Sequence, residues 1–318
     1  MLEAGVSLGS EWICIKCKAD QLYRTARDEI ICGNCAAQYP IVDGVPVFVG
    51  DSEAHKAHMD KSLSEKREWY WSEQILGKNE DPWHDIGRRR YAALSDMLRA
   101  YVPKGKPILD LGCGDGRNLQ LLKTVASGVT GTDYNLLRLQ RAKGMAEGYE
   151  SLCVSEVNAL PFCDCSWDIV YFDQVLEHMP DPGQALESVH RILRHHGVLI
   201  LGVPNEGCWY HQLKFRIKPS LLKKTDHVNF FTEKSIRALV ERCGFAVKRT
   251  MGMTWGLPAT GDGVLGPMTK VDRALRRYVW YNSVWERLGR VFLPGQYFEL
   301  YLACIKVGDS ETEPGKKG

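Results

Sequence analysis

From Ile108 onward the hydrophobic positions settle into a regular alternation of two periods. "ILDLG" is a short apolar run that ends on glycine, and "RNLQLLKTVA" then carries its leucines at helical intervals. "GVTGTD" reads as a second strand, and "NLLRLQRAKGMAEG" as a second helix. The same rhythm continues through the strands "SLCVSEV" and "WDIVYFDQ", the helix "DPGQALESVHRILRHH" and the strand "GVLILGVP". The helix "TEKSIRALVERCG" and the strands "FAVKRTMG" and "FELYLACIKV" complete it. Asp181 with Pro182 marks one helix start, and Gly244 marks a helix end. Strands alternating with helices predict an α/β fold whose parallel sheet has right-handed crossovers and binds its ligand at the carboxyl ends of the strands.

Two stretches fall outside this rhythm. Residues 51–105 are charged, with apolar residues at helical spacing; Tyr91, Leu94, Met97, Leu98 and Tyr101 share one face. They predict helices that link or cover the next domain, and Trp69, Tyr70, Trp71, Trp83 and His84 make a ligand lid one reading of that cover. The second stretch is an insertion at about 253–295, before the last strand, containing a basic amphipathic helix at about 270–292. Leu275, Tyr278, Val279, Trp285, Leu288 and Phe292 are its apolar residues; Lys270, Arg273, Arg276, Arg277, Arg287 and Arg290 are its cations. Such a helix closes an acceptor pocket or lies on an anionic membrane.

The N-terminal 50 residues form a third segment. Cys14, Cys17, Cys32 and Cys35 are spaced C-x2-C-x14-C-x2-C, which is metal spacing: two knuckles bring four thiolates around a closed, structural zinc site. The alternative is four reduced thiols in a small hairpin domain without metal. "YPIVDGVPVFVG" reads as strands around an Asp43–Gly44 turn. Together these features resemble the zinc ribbons of the Trm-type methyltransferase activators. The expected organisation is therefore a zinc ribbon at 1–50, a helical linker or lid at 51–105, and a catalytic domain at 106–318.

Composition narrows the field. A 318-residue chain with 44% hydrophobic and 25% charged residues is an ordinary globular protein, and a net charge of +2 supplies no general attraction to nucleic acid or anionic membrane. The odd count of 11 cysteines does not suit a secreted disulfide framework. With no apolar run near the roughly 20 residues of a membrane span and no signal-peptide pattern, the expected compartment is the cytoplasm, with the inner membrane face reached through the 270–292 helix.

The chemistry sits in "GCGDGRN". A dinucleotide fingerprint requires G-x-G-x-x-G, and Arg117 occupies the third glycine position. The glycines run instead Gly112, Gly114, Gly116 and follow an acid, Asp110. A carboxylate so close repels a pyrophosphate but holds an ammonium group, and Gly112 and Gly114 let that group approach the main chain. Asp133 ends the next strand, where a carboxylate accepts both hydroxyls of a ribose. A ribose joined to an amino-acid ammonium is S-adenosylmethionine.

Residues 106 to about 252 then resemble the class I S-adenosylmethionine-dependent methyltransferases, with "LDLGCGDG", "GTD", "NALPFCDCSWDIVYFDQVLEHMPDP" and "RILRHHGVLILGVPN" as successive motif blocks. The resemblance implies a Rossmann-like seven-stranded methyltransferase sheet whose last strand is antiparallel. It also implies that Asp110, Gly112 and Gly114 meet the methionyl part, Asp133 the ribose, and Asn158 with Ala159 the adenine edge, with Tyr134 and Asp173 completing the cofactor set. Asn158 stands where the family commonly has an acid, and His195-His196-Gly197 replaces a proline-glycine turn. "QVLEH" is similar to the segment in which ubiquinone-pathway O-methyltransferases bind a divalent metal through Glu, Glu and His. Gln174 occupies the first of those positions beside Glu177 and His178, which argues against magnesium.

Methyl transfer from a sulfonium needs alignment and exclusion of water, and a base only for a neutral acceptor. His178, after the fourth strand, and His227, after the fifth, are the candidate catalytic histidines. The expected reaction is O-methylation of a small hydrophobic or lipid-linked acceptor. An RNA methyltransferase using the ribbon, and a non-catalytic partner protein with the same fold, remain the alternatives.

Overall fold

A computed structural model describes residues 6–7, 11–50, 53, 85–144, 148–217, 219–222, 227–253, 271, 275, 278–292 and 294–307. In chain order the strands are β1 Val6–Ser7, β2 Leu22–Arg24, β3 Glu29–Cys32, β4 Gln38–Val42 and β5 Val45–Phe48, followed by helix α1 Asp85–Tyr101. Then come β6 Ile108–Leu111, α2 Leu119–Lys123, β7 Val129–Asp133, α3 Leu136–Lys143, β8 Ser151–Ser155 and β9 Trp167–Asp173. After these follow α4 Pro182–Ile192, β10 Leu193–Pro204, α5 Trp209–Ile217, α6 Glu233–Arg242, β11 Phe245–Met253, α7 Val279–Phe292 and β12 Glu299–Lys306. The chain divides into two compact units, and β9, α4 and β10 run from one into the other.

The first unit comprises Met1–Asp81, Val102–Tyr171 and Gln184–Val198. Its strand order is β1-β2-β3-β4-β5-β8-β7-β6-β9. All four residues of β6 are buried, which is why "ILDL" is apolar except for one acid, Asp110. β6 pairs in parallel with β7 from Ile108↔Val129 to Leu111↔Thr132, and β7 with β8 from Thr130↔Ser151 to Asp133↔Val154. This register brings the carboxyl ends of β6 and β7 side by side.

The expected seven-stranded sheet is longer than the repeat alone indicates, because the ribbon joins it. β4 and β5 form a hairpin across Asp43 and Gly44, whose φ values of 50° and 76° suit a type I′ turn. β5 then pairs in parallel with β8 through Val47↔Val154 and Phe48↔Ser155. Trp12 stacks on Phe48 with ring centroids 5.6 Å apart and lies against Phe162 at 5.0 Å. Two main-chain bonds, Ile13 N to Pro161 O at 3.0 Å and Cys163 N to Glu11 O at 2.9 Å, close the same junction.

Two helices are shorter than their periodicity predicts. α2 is only five residues long, and Thr124 closes it by donating from its hydroxyl to Leu121 O. α4 ends at Ile192, and "LRHH" already belongs to β10. Leu193 is buried there, Arg194 pairs with Asp168, and His196 turns the chain with a φ of 61°.

The second unit comprises Pro82–Tyr101, Phe172–Gly183 and Leu199–Gly318. Its strands run in the order β10-β12-β11, and β12 is antiparallel to β11 from Phe245↔Lys306 to Met253↔Glu299, as expected of the last strand. α1 buries Leu94, Met97 and Leu98 and leaves Tyr91 exposed. α6 begins with a capping box in which Ser235 N donates to Thr232 Oγ1 and Thr232 N to Ser235 Oγ. The aromatic lid residues Trp69, Tyr70, Trp71, Trp83 and His84 lie outside the described residues, as does most of the insertion before residue 278.

Candidate functional site

The glycine loop explains its own composition. Gly112, Gly114 and Gly116 have φ values of 75°, 55° and 84°, a left-handed region that other residues enter only with strain. Gly112 N and Cys113 N both donate to Thr132 O, at 2.7 and 3.0 Å, so the loop is tied to the end of β7. Asp133 accepts from Gly114 N at 2.9 Å and from Asn135 N at 2.8 Å. Asn135 in turn caps α3 by accepting from Leu137 N and Arg138 N. Arg138 reaches back to Asp115 at 2.8 Å and covers Gly114 so closely that a Cβ there would lie 2.1 Å from its Nη2. Burial alone would raise the Asp115 carboxyl, but the Arg138 guanidinium outweighs it and holds the carboxyl below its usual range.

Asp110 is 1% exposed and accepts a 2.8 Å hydrogen bond from the Tyr149 hydroxyl. Burial raises the Cys113 thiol far above its usual range, and the carboxylates of Asp110 and Asp133 push it further. The two acids proposed to grip one ligand thus flank one residue. Asn158 and Ala159 occupy a 3-10 turn, Val157–Ala159, with Asn158 exposed and Ala159 and Tyr134 half-buried.

A second group of polar residues lies in the other unit. Asp173, at the end of β9, is buried, and a Cβ on Gly202 would fall 2.1 Å from its Oδ1; only glycine leaves room for that carboxylate. The next residue, Gln174, has a φ of 57° and donates its N–H to Gly202 O, which turns the chain into a 3-10 turn at Leu176–His178. His178 and His227 meet edge to face, 4.8 Å between ring centroids. His227 Nδ1 lies 2.6 Å from Glu206 Oε2. Glu177 is 1% exposed and neither carboxyl oxygen has a hydrogen-bond partner; burial pushes its pKa up to about 8 despite the opposing effect of its own main-chain N–H and of His227.

The four ribbon cysteines converge. Cys14 Sγ lies 3.6 Å from Cys35 Sγ, and Cys17 Sγ 3.5 Å from Cys32 Sγ. A tetrahedron with bonds of about 2.3 Å to zinc has edges of about 3.8 Å, so the thiols fit the ion. Tyr39 OH lies 3.0 Å from Cys14 Sγ, and Asn34 donates to Cys17, lowering that thiol to about 6.

Residues 83–250, more than half of the chain, match the profile of a methyltransferase domain family. The chain belongs to that family. A Mycolicibacterium smegmatis protein named a probable S-adenosylmethionine-dependent methyltransferase is 29% identical over 53% of this chain, which spans 62% of that relative's length. The 2-methyl-6-phytyl-1,4-hydroquinone methyltransferase of Synechocystis is 25% identical over 70% of this chain and 69% of its own. Among solved structures, a chain from the complex of the Haloferax volcanii Trm112 methyltransferase activator with a methyltransferase superposes with a TM-score of 0.53. It is 19% identical and covers 77% of this chain and 98% of its own, a likeness of fold.

Within this family framework the structure groups Asp110, Gly112, Gly114 and Asp133 in one unit and Asp173, His178 and His227 in the other. Sequence reasoning missed Tyr149, Arg138 and Glu206. Tyr149 follows a helix end with no periodic signal, and the charges of Arg138 and Glu206 look like those of any solvated surface. Nothing local in the sequence marks them.

Proposed function

We propose that the chain transfers a methyl group from S-adenosylmethionine to a hydroxyl of a small hydrophobic or lipid-linked acceptor. The observation that carries the first half is the loop of three left-handed glycines held between Asp110 and Asp133. Asp110 supplies charge for an ammonium group, and the remaining lone pairs of Asp133 accept from ribose hydroxyls. The one-turn α2 that follows gives a pyrophosphate little helix dipole to rest on, which favours this ligand over a dinucleotide. Asn158 and Ala159 serve the adenine edge, and Tyr134 and Asp173 the rest of the cofactor.

When bound, the sulfonium supplies an electrophilic methyl group whose bond to sulfur breaks as the bond to the acceptor oxygen forms. The protein's task is then to align the two partners and take the hydroxyl proton. His178 and His227 are the groups for that work, with Glu206 orienting His227.

An apolar acceptor is supported by α7, where Trp280, Val284, Leu288 and Val291 are exposed at helical spacing beside the cations Arg287 and Arg290. No helix among the described residues is long and apolar enough to cross a membrane. Membrane contact of a cytoplasmic protein through the exposed apolar face of α7 is part of this proposal. The phytyl hydroquinone in the name of the Synechocystis relative points the same way.

Calorimetry with S-adenosylhomocysteine tests the donor: the wild type binds, and Asp110→Ala and Asp133→Ala each lose about tenfold or more, as charge-assisted bonds require. No binding by the wild type, or tighter binding of NAD, overturns the reading. Radiolabelled methyl transfer into organic-extractable lipid tests the acceptor.

A further inference from the structure

We infer that Glu177, His178 and His227 form a binding site for a divalent transition-metal ion, distinct from the ribbon cysteines. One ligand atom from each of the three lies within 4.8 Å of the other two. Zinc bonds of about 2.0–2.2 Å place ligand atoms about 3.5 Å apart, and the 3.8 Å between Glu177 Oε1 and His178 Nε2 is near that spacing.

Four observations support an ion here. Glu177 is the first: a carboxyl 1% exposed with neither oxygen hydrogen-bonded lacks the donors that buried carboxylates ordinarily have. His178 Nε2 lies 3.8 Å from Oε1, too far for a hydrogen bond. Next comes the Glu206 carboxylate on His227 Nδ1, the outer partner that metal-ligating histidines carry; it fixes the tautomer whose lone pair is on Nε2. The third is rigidity, because Glu177 O accepts from both Val228 N and Asn229 N, at 2.9 and 3.0 Å, and Asn229 Nδ2 donates to Met179 O at 2.7 Å. Two segments distant in sequence are thereby locked in the register that brings the ligands together. Last is charge: Glu177 and Glu206 together offset a dication.

The donor set decides the metal. Two imidazoles and one carboxylate suit zinc, cobalt, manganese or iron, whereas magnesium requires oxygen ligands. The segment similar to the magnesium-type motif has Gln174 in place of its first acid, and His227 supplies the third ligand from a different loop. Three protein ligands leave a coordination position for an outside oxygen, the pattern of a reactive rather than a structural site. An ion held there would lower the pKa of an acceptor hydroxyl bound to it, so that solvent water could take the proton, and His178 and His227 would then serve as ligands instead of as the base. The site itself stands whether or not the chain transfers methyl groups, because ion binding is read without any methyl donor.

The experiment titrates Co2+ into the full chain with its ribbon already loaded with zinc. One further equivalent is expected, with visible d–d bands and none of the intense near-ultraviolet absorption of thiolate ligation. Glu177→Gln and His227→Ala should lower Co2+ affinity at least a hundredfold and Glu206→Gln about ten- to a hundredfold. Thermal melts of the metal-free variants, matched to wild type, show that each still folds. The inference fails if the zinc-loaded wild type takes up no second ion or if Glu177→Gln binds Co2+ as the wild type does. It also fails if Mg2+ displaces cobalt at comparable concentration.

Discussion

Val47 of the ribbon pairs in parallel register with Val154 of β8, so a strand from the N-terminal segment continues the sheet that carries the glycine loop. The ribbon therefore covers an edge that would otherwise present unpaired main-chain groups and a buried residue, Val154, to solvent. Trp12 is the side chain that fastens this junction, between Phe48 and Phe162. Replacing it with alanine should cost about 3–5 kcal/mol, the range for large aromatic truncations in a core. Urea unfolding checks this: the midpoint falls while the slope is retained. A midpoint within error of wild type would mean that the ribbon is only loosely held.

The ribbon should carry one equivalent of zinc. Elemental analysis of the purified protein measures it, and Cys32→Ser with Cys35→Ser should abolish it. Because a segment this small buries little apolar surface of its own, chelation should lower the thermal midpoint as well. A metal-free N-terminus that resists alkylation and proteolysis as the loaded one does would contradict this expectation.

Gly114→Ala should weaken S-adenosylhomocysteine binding about tenfold or more and destabilise the fold by about 1–3 kcal/mol, since alanine meets both a φ of 55° and the Arg138 guanidinium. The double variant with Arg138→Ala separates the two causes. If the collision dominates, the pair should cost less than the sum of its parts.

Asp115 gives a pH dependence with a definite sign. Its carboxyl titrates lower in the folded chain than in the unfolded one, so the unfolded state binds more protons as pH falls toward the carboxylate range. The stabilisation is complete above the unfolded pKa near 4 and is lost as pH drops through the folded value. Arg138→Met should therefore flatten the acid limb of a stability-versus-pH curve measured by denaturant midpoints and leave the neutral region's slope unchanged. An unaltered acid limb would mean that the Arg138–Asp115 pair is electrostatically idle.

Much of this protein was legible residue by residue. The glycine loop after β6, the Asp43–Gly44 turn, the Pro182 helix start and the apolar runs of β6 to β10 are local demands of the backbone, and the sequence states them directly. The cysteine spacing is equally local, because each knuckle closes over two residues. Partners were a different matter. "VPVF" says strand but not which edge it will join, and only packing of Trp12, Phe48 and Phe162 directs it to β8. The length of α4 was misread because "RILRHH" keeps helical spacing while Leu193 is already drawn into the buried strand. Tyr149 on Asp110, Arg138 over Gly114, and His227 beside Glu177 and His178 join residues far apart in the chain. Periodicity encodes dihedral angles and faces over one or two turns. Which distant side chain satisfies a buried charge is settled only when the whole chain has excluded water around it.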